Sequence, residues 1–355
     1  MSLLVLSAAN VASITAAVPA DAFCTMLGKT MAAISNPVDD PLAIQNPQRV
    51  ATESDLHKTL YMPSRLTTSE GPATAVKVVS VPKPSCSIPG LPATTLLFDE
   101  ASGLTRACVN AADLTGIRTA AASALATKLL ANPSSTSLAV FGSGTQAYYH
   151  ARLILELFPS ITSATFVVRS VSPRAQALVD RLQADFGKVL VHASTSEEAD
   201  EVVEGADIIC TCVPSTEPLF SLEALKPGVH INAIGSYTPS MREFPPALLA
   251  PSPSSPTVPH IPTLLVDSAP ACLAEAGELI AAHVTAPQLV EVGALLDPAS
   301  GGLRDDDATR KRVEQLKSGG RSLFKCVGVG GMDVAITRLV VDEAEGRGLG
   351  TRVPF

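Results

Sequence analysis

Residues Ser137–His150 read SLAVFGSGTQAYYH. A short apolar run, Leu138 to Phe141, leads into Gly142, Ser143, Gly144, Thr145, Gln146 and Ala147, and a helical pattern opens behind them. The turn has the form G-x-G-x-x-A, and each small residue in it has a physical reason. Gly142 lets the chain leave a strand sharply. Gly144 removes a Cβ where a pyrophosphate must come close to the backbone, and Ala147 lets the helix lie tight on the strand. The N–H groups and positive dipole end of that helix would then face the phosphates. A glycine turn alone is a weak signal. The strand before it and the helix after it are the context that makes it an expectation of dinucleotide binding, with a plain structural turn as the alternative.

The following apolar run, Ala164–Val168, ends in Arg169 and Ser170. A site for NAD normally places an Asp or Glu there, about 20 residues past the turn, to hold the ribose hydroxyls. Here the stretch offers Arg169, Ser170, Ser172 and Arg174 and no carboxylate. Guanidinium groups pair with phosphate in a planar, charge-assisted way, so the stretch favours a 2′-phosphate, and NADPH over NADH. The alternative is that both arginines are solvated loop charges.

Composition bounds the rest. A chain of 355 residues, 46% hydrophobic and 17% charged, suits a soluble globular enzyme of one large or two ordinary domains. The net charge of −8 and the lack of a basic stripe argue against nucleic-acid binding. The seven cysteines (24, 86, 108, 210, 212, 272 and 326) are odd in number and scattered, as reduced core residues would be. Cys210 and Cys212 form a C-x-C pair without companion ligands, so no metal is expected. The apolar N-terminus lacks a basic flank and is broken by Ser7 and Asn10, which argues against a secretory signal. No stretch has the length and purity of a membrane span, so a cytoplasmic protein is expected.

Taken in order, the pattern predicts a strand at Leu3–Leu6 and a helix capped near Ser7, then a polar, Pro-containing stretch through Arg49. Ala73–Val81 is strand-like, with Lys77 inside an otherwise apolar run. An unpaired buried ammonium is costly, so Lys77 either reaches solvent or meets an anion. A hairpin follows, Thr94–Asp99 and Leu104–Val109, then an alanine-rich helix, Asp113–Ala131. Arg118 sits in the first turns of that helix, against the dipole preference, which again calls for an anion. From residue 138 to about 295 strands alternate with helices: Val189–Val191, Asp207–Cys210, His230–Ile234 and Leu264–Asp267 follow the first two strands. This predicts a parallel, doubly wound sheet. Pro245–Pro262 reads as a Pro- and Ser-rich surface loop. In the tail, Leu323–Gly328 reads as a strand and Gly330–Glu345 as a helix, both packing back on the N-terminal domain. A cleft between domains, at the carboxyl ends of the parallel strands, would then take the ligands.

Several stretches together carry a resemblance: GLPATTLLFDEASG (90–103), DLTGIRTAAASALATKL (113–129), FGSGTQA (141–147), KPGVHINAIG (226–235), EAGEL (275–279) and LFKCVGVGGMD (323–333). Over nearly its whole length the chain resembles the ornithine cyclodeaminase/mu-crystallin family. The resemblance implies an α/β fold in which a Rossmann domain, residues 116–319, is inserted into an α+β substrate-binding and dimerisation domain, residues 1–115 and 320–355. It also implies a homodimer and an imino or amino acid bound beside the nicotinamide. The acid's carboxylate would be held by residues matching Arg49, Lys77 and Arg118. Of these, Lys77 and Arg118 are also the candidates for catalytic roles. Met62, Tyr237 and Thr238 are further pocket candidates by family position. Cys212, Val213, Ser236 and Gly328 are further candidates around the cofactor. Internal ion pairing with Asp or Glu is the alternative for Lys77 and Arg118, and neutralisation by such carboxylates would defeat the anion-binding reading.

One departure matters. Cyclodeaminases of the family carry an aspartate in the glycine loop after the last cofactor-domain strand. Here that loop is Gly235-Ser236-Tyr237-Thr238-Pro239-Ser240-Met241-Arg242-Glu243, with Tyr237 at the aspartate position. A phenol with an ordinary pKa near 10 is a poor base at neutral pH. The resemblance is therefore closer to the mu-crystallin-like branch, which implies NAD(P)H-dependent reduction of small cyclic 2-imino acids. A cyclodeaminase or alanine-type dehydrogenase of the same family, and a non-catalytic NADPH-binding protein, stand as alternatives.

Overall fold

A computed structural model describes residues 2–36, 39–83, 85–87, 90–249 and 260–355. In chain order the elements are β1 (Ser2–Leu6), α1 (Ala8–Ala17), α2 (Ala20–Ser35), β2 (Ile44–Gln45), β3 (Val50–Glu53), β4 (His57–Thr68), β5 (Gly71–Pro82), β6 (Ala93–Phe98), β7 (Thr105–Asn110) and α3 (Ala112–Leu130). There follow β8 (Ser137–Phe141), α4 (Thr145–Leu157), β9 (Ser163–Val168), α5 (Pro173–Asp185), β10 (Leu190–Thr195), α6 (Ala199–Gly205), β11 (Ile208–Thr211), β12 (His230–Ala233), β13 (Leu264–Val266), α7 (Ala269–Glu275), α8 (Gly277–Ala281), β14 (Leu289–Glu291), α9 (Asp307–Lys317), β15 (Ser322–Lys325), α10 (Gly330–Gly346) and β16 (Thr351–Pro354). None of the described helices is by itself long and apolar enough to cross a membrane.

Contacts divide the chain into two units. The first comprises residues 1–118, 296–302 and 329–355, and the second residues 119–295 and 303–328. The bounds of these units differ from those expected at three places. Residues 116–118 fall with the first unit. Residues 320–328 belong with the second unit, because β15 pairs in parallel with both β12 and β13 inside its sheet. Residues 296–302 belong with the first unit, where they seat on α2. A Cβ on Gly28 would lie 2.0 Å from the Gly301 carbonyl oxygen, so the contact is backbone on backbone.

The first unit is built on a mixed sheet of order β16-β1-β7-β6-β5-β4-β2, with β3 also on β4. Along β5 the period-two alternation of a half-buried strand puts Ala73, Ala75, Lys77 and Val79 on the covered face. Helix α10 covers that face, packing on β4, β5, β6 and α2. Its Val334, Ile336, Val340 and Val341 are buried, each contributing roughly 1.5–3 kcal/mol. The N-terminal helical stretch is two helices, α1 capped by Ser7 and α2 entered through Pro19. Proline fits the entry of a helix and not its interior, which explains the break.

The second unit is an eight-stranded sheet of order β10-β9-β8-β11-β12-β15-β13-β14, parallel at every pairing. Strand order reverses beside β8, the switch point at which such sheets take ligands at their carboxyl edge. Within Pro245–Pro262, residues 250–259 lie outside the described residues. The flanks are not surface loop: Leu248, Leu249 and Ile261 are buried in the core of this unit.

Candidate functional site

In the second unit, β8 delivers the chain to Gly142 at φ +108°. A Cβ there would meet Val213 Cγ1 at 2.7 Å, so both the backbone and the space require glycine. Gly144 is the N-cap of α4 and offers no side-chain cap, which leaves the helix start as a backbone cradle for an anion. Ala147 is fully buried against the sheet. Arg174, on the first turn of α5, places Nη2 3.4 Å from where a Cβ of Gly144 would stand. Arg169 and Arg174 are exposed, and among the described residues neither makes a hydrogen bond or ion pair. These features fit a dinucleotide, with its pyrophosphate on the turn and a cationic side chain beside it. Ser172 serves the helix instead, its hydroxyl accepting from Ala175 N and capping α5.

The loops after β11 and β12 carry the other cofactor candidates. Val213 N donates to Glu243 Oε1 at 3.1 Å, while Gly235 N and Ser236 N donate to Glu243 Oε2 at 2.6 and 3.1 Å. Ser236 is fully buried and its hydroxyl lies 2.8 Å from Glu278 Oε2. Its donors are thus committed inside the unit. Gly328 likewise gives its N–H to the buried carboxylate of Asp267 at 2.6 Å. Cys212 gives its N–H to Phe141 O, and its thiol is pushed well up by burial. Tyr237 is half-buried.

In the first unit the two suspect cations converge. Lys77 Nζ is 2.7 Å from Asp333 Oδ2, and Arg118 Nε is 3.3 Å from Asp333 Oδ1. All three are buried, Lys77 with only 2% of its surface exposed. Asp333 lies in the first turn of α10, where a carboxylate is favoured by the helix dipole. Internal ion pairing, the alternative raised by the sequence, is therefore present. It is incomplete, because one carboxylate faces two cations. Burial pulls Lys77 down to about 8; Asp333 opposes that, while Arg118 and Arg49 add to it. Arg49 is thus close enough for its charge to reach Lys77. Met62 and Thr95 stand directly across from Lys77 on β4 and β6. Thr95 is buried, and its hydroxyl has no hydrogen-bond partner among the described residues.

Local pattern alone gives no role to Asp333, Thr95, Glu243, Glu278 or Lys325. Four of them lie in stretches that carry the family resemblance: Thr95 in GLPATTLLFDEASG, Glu278 in EAGEL, and Lys325 and Asp333 in LFKCVGVGGMD. The available signal was a charged residue set among apolar ones, as at Lys77.

Residues 11–255 match the ornithine cyclodeaminase/mu-crystallin family. The chain belongs to that family. Among the relatives within it, the Delta(1)-pyrroline-2-carboxylate reductase of Bacillus cereus is 30% identical over 332 residues, covering 90% of this chain and 89% of its own. The ketimine reductase mu-crystallin of Mus musculus is 31% identical over 256 residues, 72% of this chain and 71% of its own. The solved structure of Thermococcus litoralis Delta(1)-pyrroline-2-carboxylate reductase in complex with NADH and L-proline matches at TM-score 0.79 and 25% identity, covering 99% of this chain and 100% of that one. An archaeal alanine dehydrogenase shares the fold of this ornithine cyclodeaminase/mu-crystallin member at TM-score 0.78 and 22% identity.

Proposed function

We propose that the protein is an NADPH-dependent reductase of small cyclic 2-imino acids of the pyrroline-2-carboxylate or piperideine-2-carboxylate type, yielding L-amino acids. The observation that carries this reading is the pair of buried cations sharing one carboxylate. Among the described residues, Lys77 and Arg118 share Asp333 alone, which leaves one positive charge uncompensated, and a buried charge is costly until an anion joins it. A substrate carboxylate meets that need. Arg118 offers a planar fork for it, Lys77 a point charge, and Arg49 a third cation. Met62 and Thr95 beside Lys77 would limit the ring's position.

The Gly142–Ala147 turn would hold the pyrophosphate, with Arg169, Ser170 and Arg174 reading the 2′-phosphate. A nicotinamide dinucleotide held by that turn would supply the hydride that reduces the imine carbon. A protonated imine is already electrophilic, so what remains for the protein is to orient it and exclude water. The reductase names of the Bacillus and mouse relatives support this reading, as does a tyrosine, Tyr237, where cyclodeaminases of the family place an acid. The test is oxidation of NADPH by purified protein with each cyclic imine. Turnover of pyrroline-2-carboxylate or piperideine-2-carboxylate is expected. Release of ammonia from ornithine without either activity, or ammonia-dependent turnover of pyruvate alone, would overturn it.

A further inference from the structure

The second unit contains a buried charged group that the proposed chemistry does not use. Glu243, Glu278, Lys325 and Asp267 are all fully buried. The Glu243 carboxylate accepts from three backbone donors, Val213 N, Gly235 N and Ser236 N. Glu278 fixes Glu243 in turn, accepting from its backbone N–H at 2.6 Å. Lys325 Nζ lies 4.0 Å from Glu278 Oε2 and makes no hydrogen bond among the described residues. The approach is so close that a Cβ on Gly235 would stand 2.4 Å from Glu243 Oε1 and 2.2 Å from Val213 O.

These contacts tie together two loops at the carboxyl edge of the sheet, those following β11 and β12. They also reach the phosphate turn, since the Val213 side chain occupies the space that a Cβ on Gly142 would need. A line of contact therefore runs from the Glu243 carboxylate through Val213 to the dinucleotide turn. We infer that Glu243, fixed by Glu278, is a positioning residue for the cofactor: its ionised carboxylate clamps Val213, Gly235 and Ser236 so that the Gly142 turn keeps the shape that takes a dinucleotide. This rests on the dinucleotide reading of that turn.

The chemistry of the group adds a pH dependence. Burial raises Glu243 to about 7, the nearby Glu278 charge adds to the rise, and Lys325 and the backbone donors oppose it. The thiols of Cys210 and Cys212 also feel its charge. Asp267 faces the thiols of Cys272 and Cys326, and Cys272 feels both Asp267 and Lys325. Three N–H donors converge on two carboxylate oxygens. A proton added to either oxygen sets donor against donor or releases one of the amides. The clamp is thus complete above neutrality and loosened below it.

The test uses NADH, which has no 2′-phosphate to titrate, and the full-length protein. For the wild type, the NADH dissociation constant measured by nicotinamide fluorescence is expected to rise about fivefold from pH 8 to pH 6. Glu243→Gln is expected to weaken NADH at pH 8 about tenfold, the scale of one lost hydrogen bond to a charged acceptor, and to flatten the pH dependence. Amide exchange of Val213, Gly235 and Ser236 in the free protein is expected to speed up in the variant. A wild-type constant that is flat between pH 6 and 8, or a variant with wild-type affinity and wild-type exchange, overturns the inference. If Glu243→Gln does not fold, the wild-type titration decides. A wild type that binds neither NADH nor NADPH overturns the proposed function, while the exchange rates still decide whether the clamp exists.

Discussion

Asp333 sets the behaviour of two other side chains. Its charge holds Lys77 up against burial, which would otherwise pull it further below about 8. The profile of kcat/KM reports groups of the free enzyme, so it is expected to fall above about pH 8 as Lys77 loses its proton and its grip on the substrate carboxylate. In Asp333→Asn the support is gone, and the break should move to lower pH. Breaking a buried pair also costs roughly 3–5 kcal/mol, so the melting temperature should drop as well. A break that stays in place in the variant would show that another group titrates. The phosphate turn gives a second prediction at the same scale. Gly142→Ala must adopt φ +108° and press a methyl on Val213 Cγ1 at 2.7 Å. A non-glycine residue at such a dihedral costs about 1–3 kcal/mol. The variant should fold with a lowered melting temperature and lose at least tenfold in NADPH affinity, the equivalent of about 1.4 kcal/mol. Isothermal titration would check this.

Helix α5 and the end of β9 carry the two arginines through which the chain would tell one dinucleotide from another. Both are exposed and without protein partners among the described residues, so their removal should leave the fold intact. Arg169→Ala with Arg174→Ala should weaken NADPH about tenfold or more beyond whatever NADH loses through Arg174 beside the pyrophosphate. Equal losses for both dinucleotides would show that neither arginine reads the extra phosphate. At this scale much was legible in the sequence. The β8–turn–α4 unit, β5 with its misplaced lysine, the β6–β7 hairpin and α3 all follow from local pattern and turn chemistry. The elements that were not read have identifiable reasons. Strand β4 contains Pro63 and has mostly half-buried residues, so it lacks a clean alternation. Strand β15 reads correctly as a strand, but its place between β12 and β13 depends on pairing with residues far away in sequence. The same limit hid the partners of the buried charges. The sequence shows that Lys77 needs an anion or a way to solvent; it does not show that Asp333, 256 positions later, pairs with it.

For the molecule as a whole, several buried groups titrate out of step with the unfolded chain, and their signs fix how stability responds to acid. His150 donates Nδ1–H to Gln146 O and takes the Ser123 hydroxyl at Nε2, and burial lowers it to about 4. His230, between Ser322 and Asn232, is lowered by burial to about 3. Both stay neutral in the fold but gain a proton near pH 6.5 when unfolded. Their contribution is complete above pH 6.5 and is lost as the pH falls toward 4 and 3. Glu243, raised to about 7, acts in the opposite sense between pH 7 and 4.5, because there the fold holds a proton that the unfolded chain lacks. Two histidines outweigh one glutamate below pH 6.5. Calorimetry should therefore show the melting temperature falling between pH 6.5 and 4.5, and a flat or rising trend would contradict the neutral, buried histidines.

The chain moves between its two units at residues 118/119, 295/296, 302/303 and 328/329. The seven residues from Leu296 to Gly302 belong to one unit while everything immediately around them belongs to the other. Recombination between homologous genes with a single crossover would therefore always yield a protein whose halves come from different parents within one core. Exchanging the nucleotide-binding part as a cassette would need two inserts, flanking a heptapeptide that has to stay behind with its own Gly28.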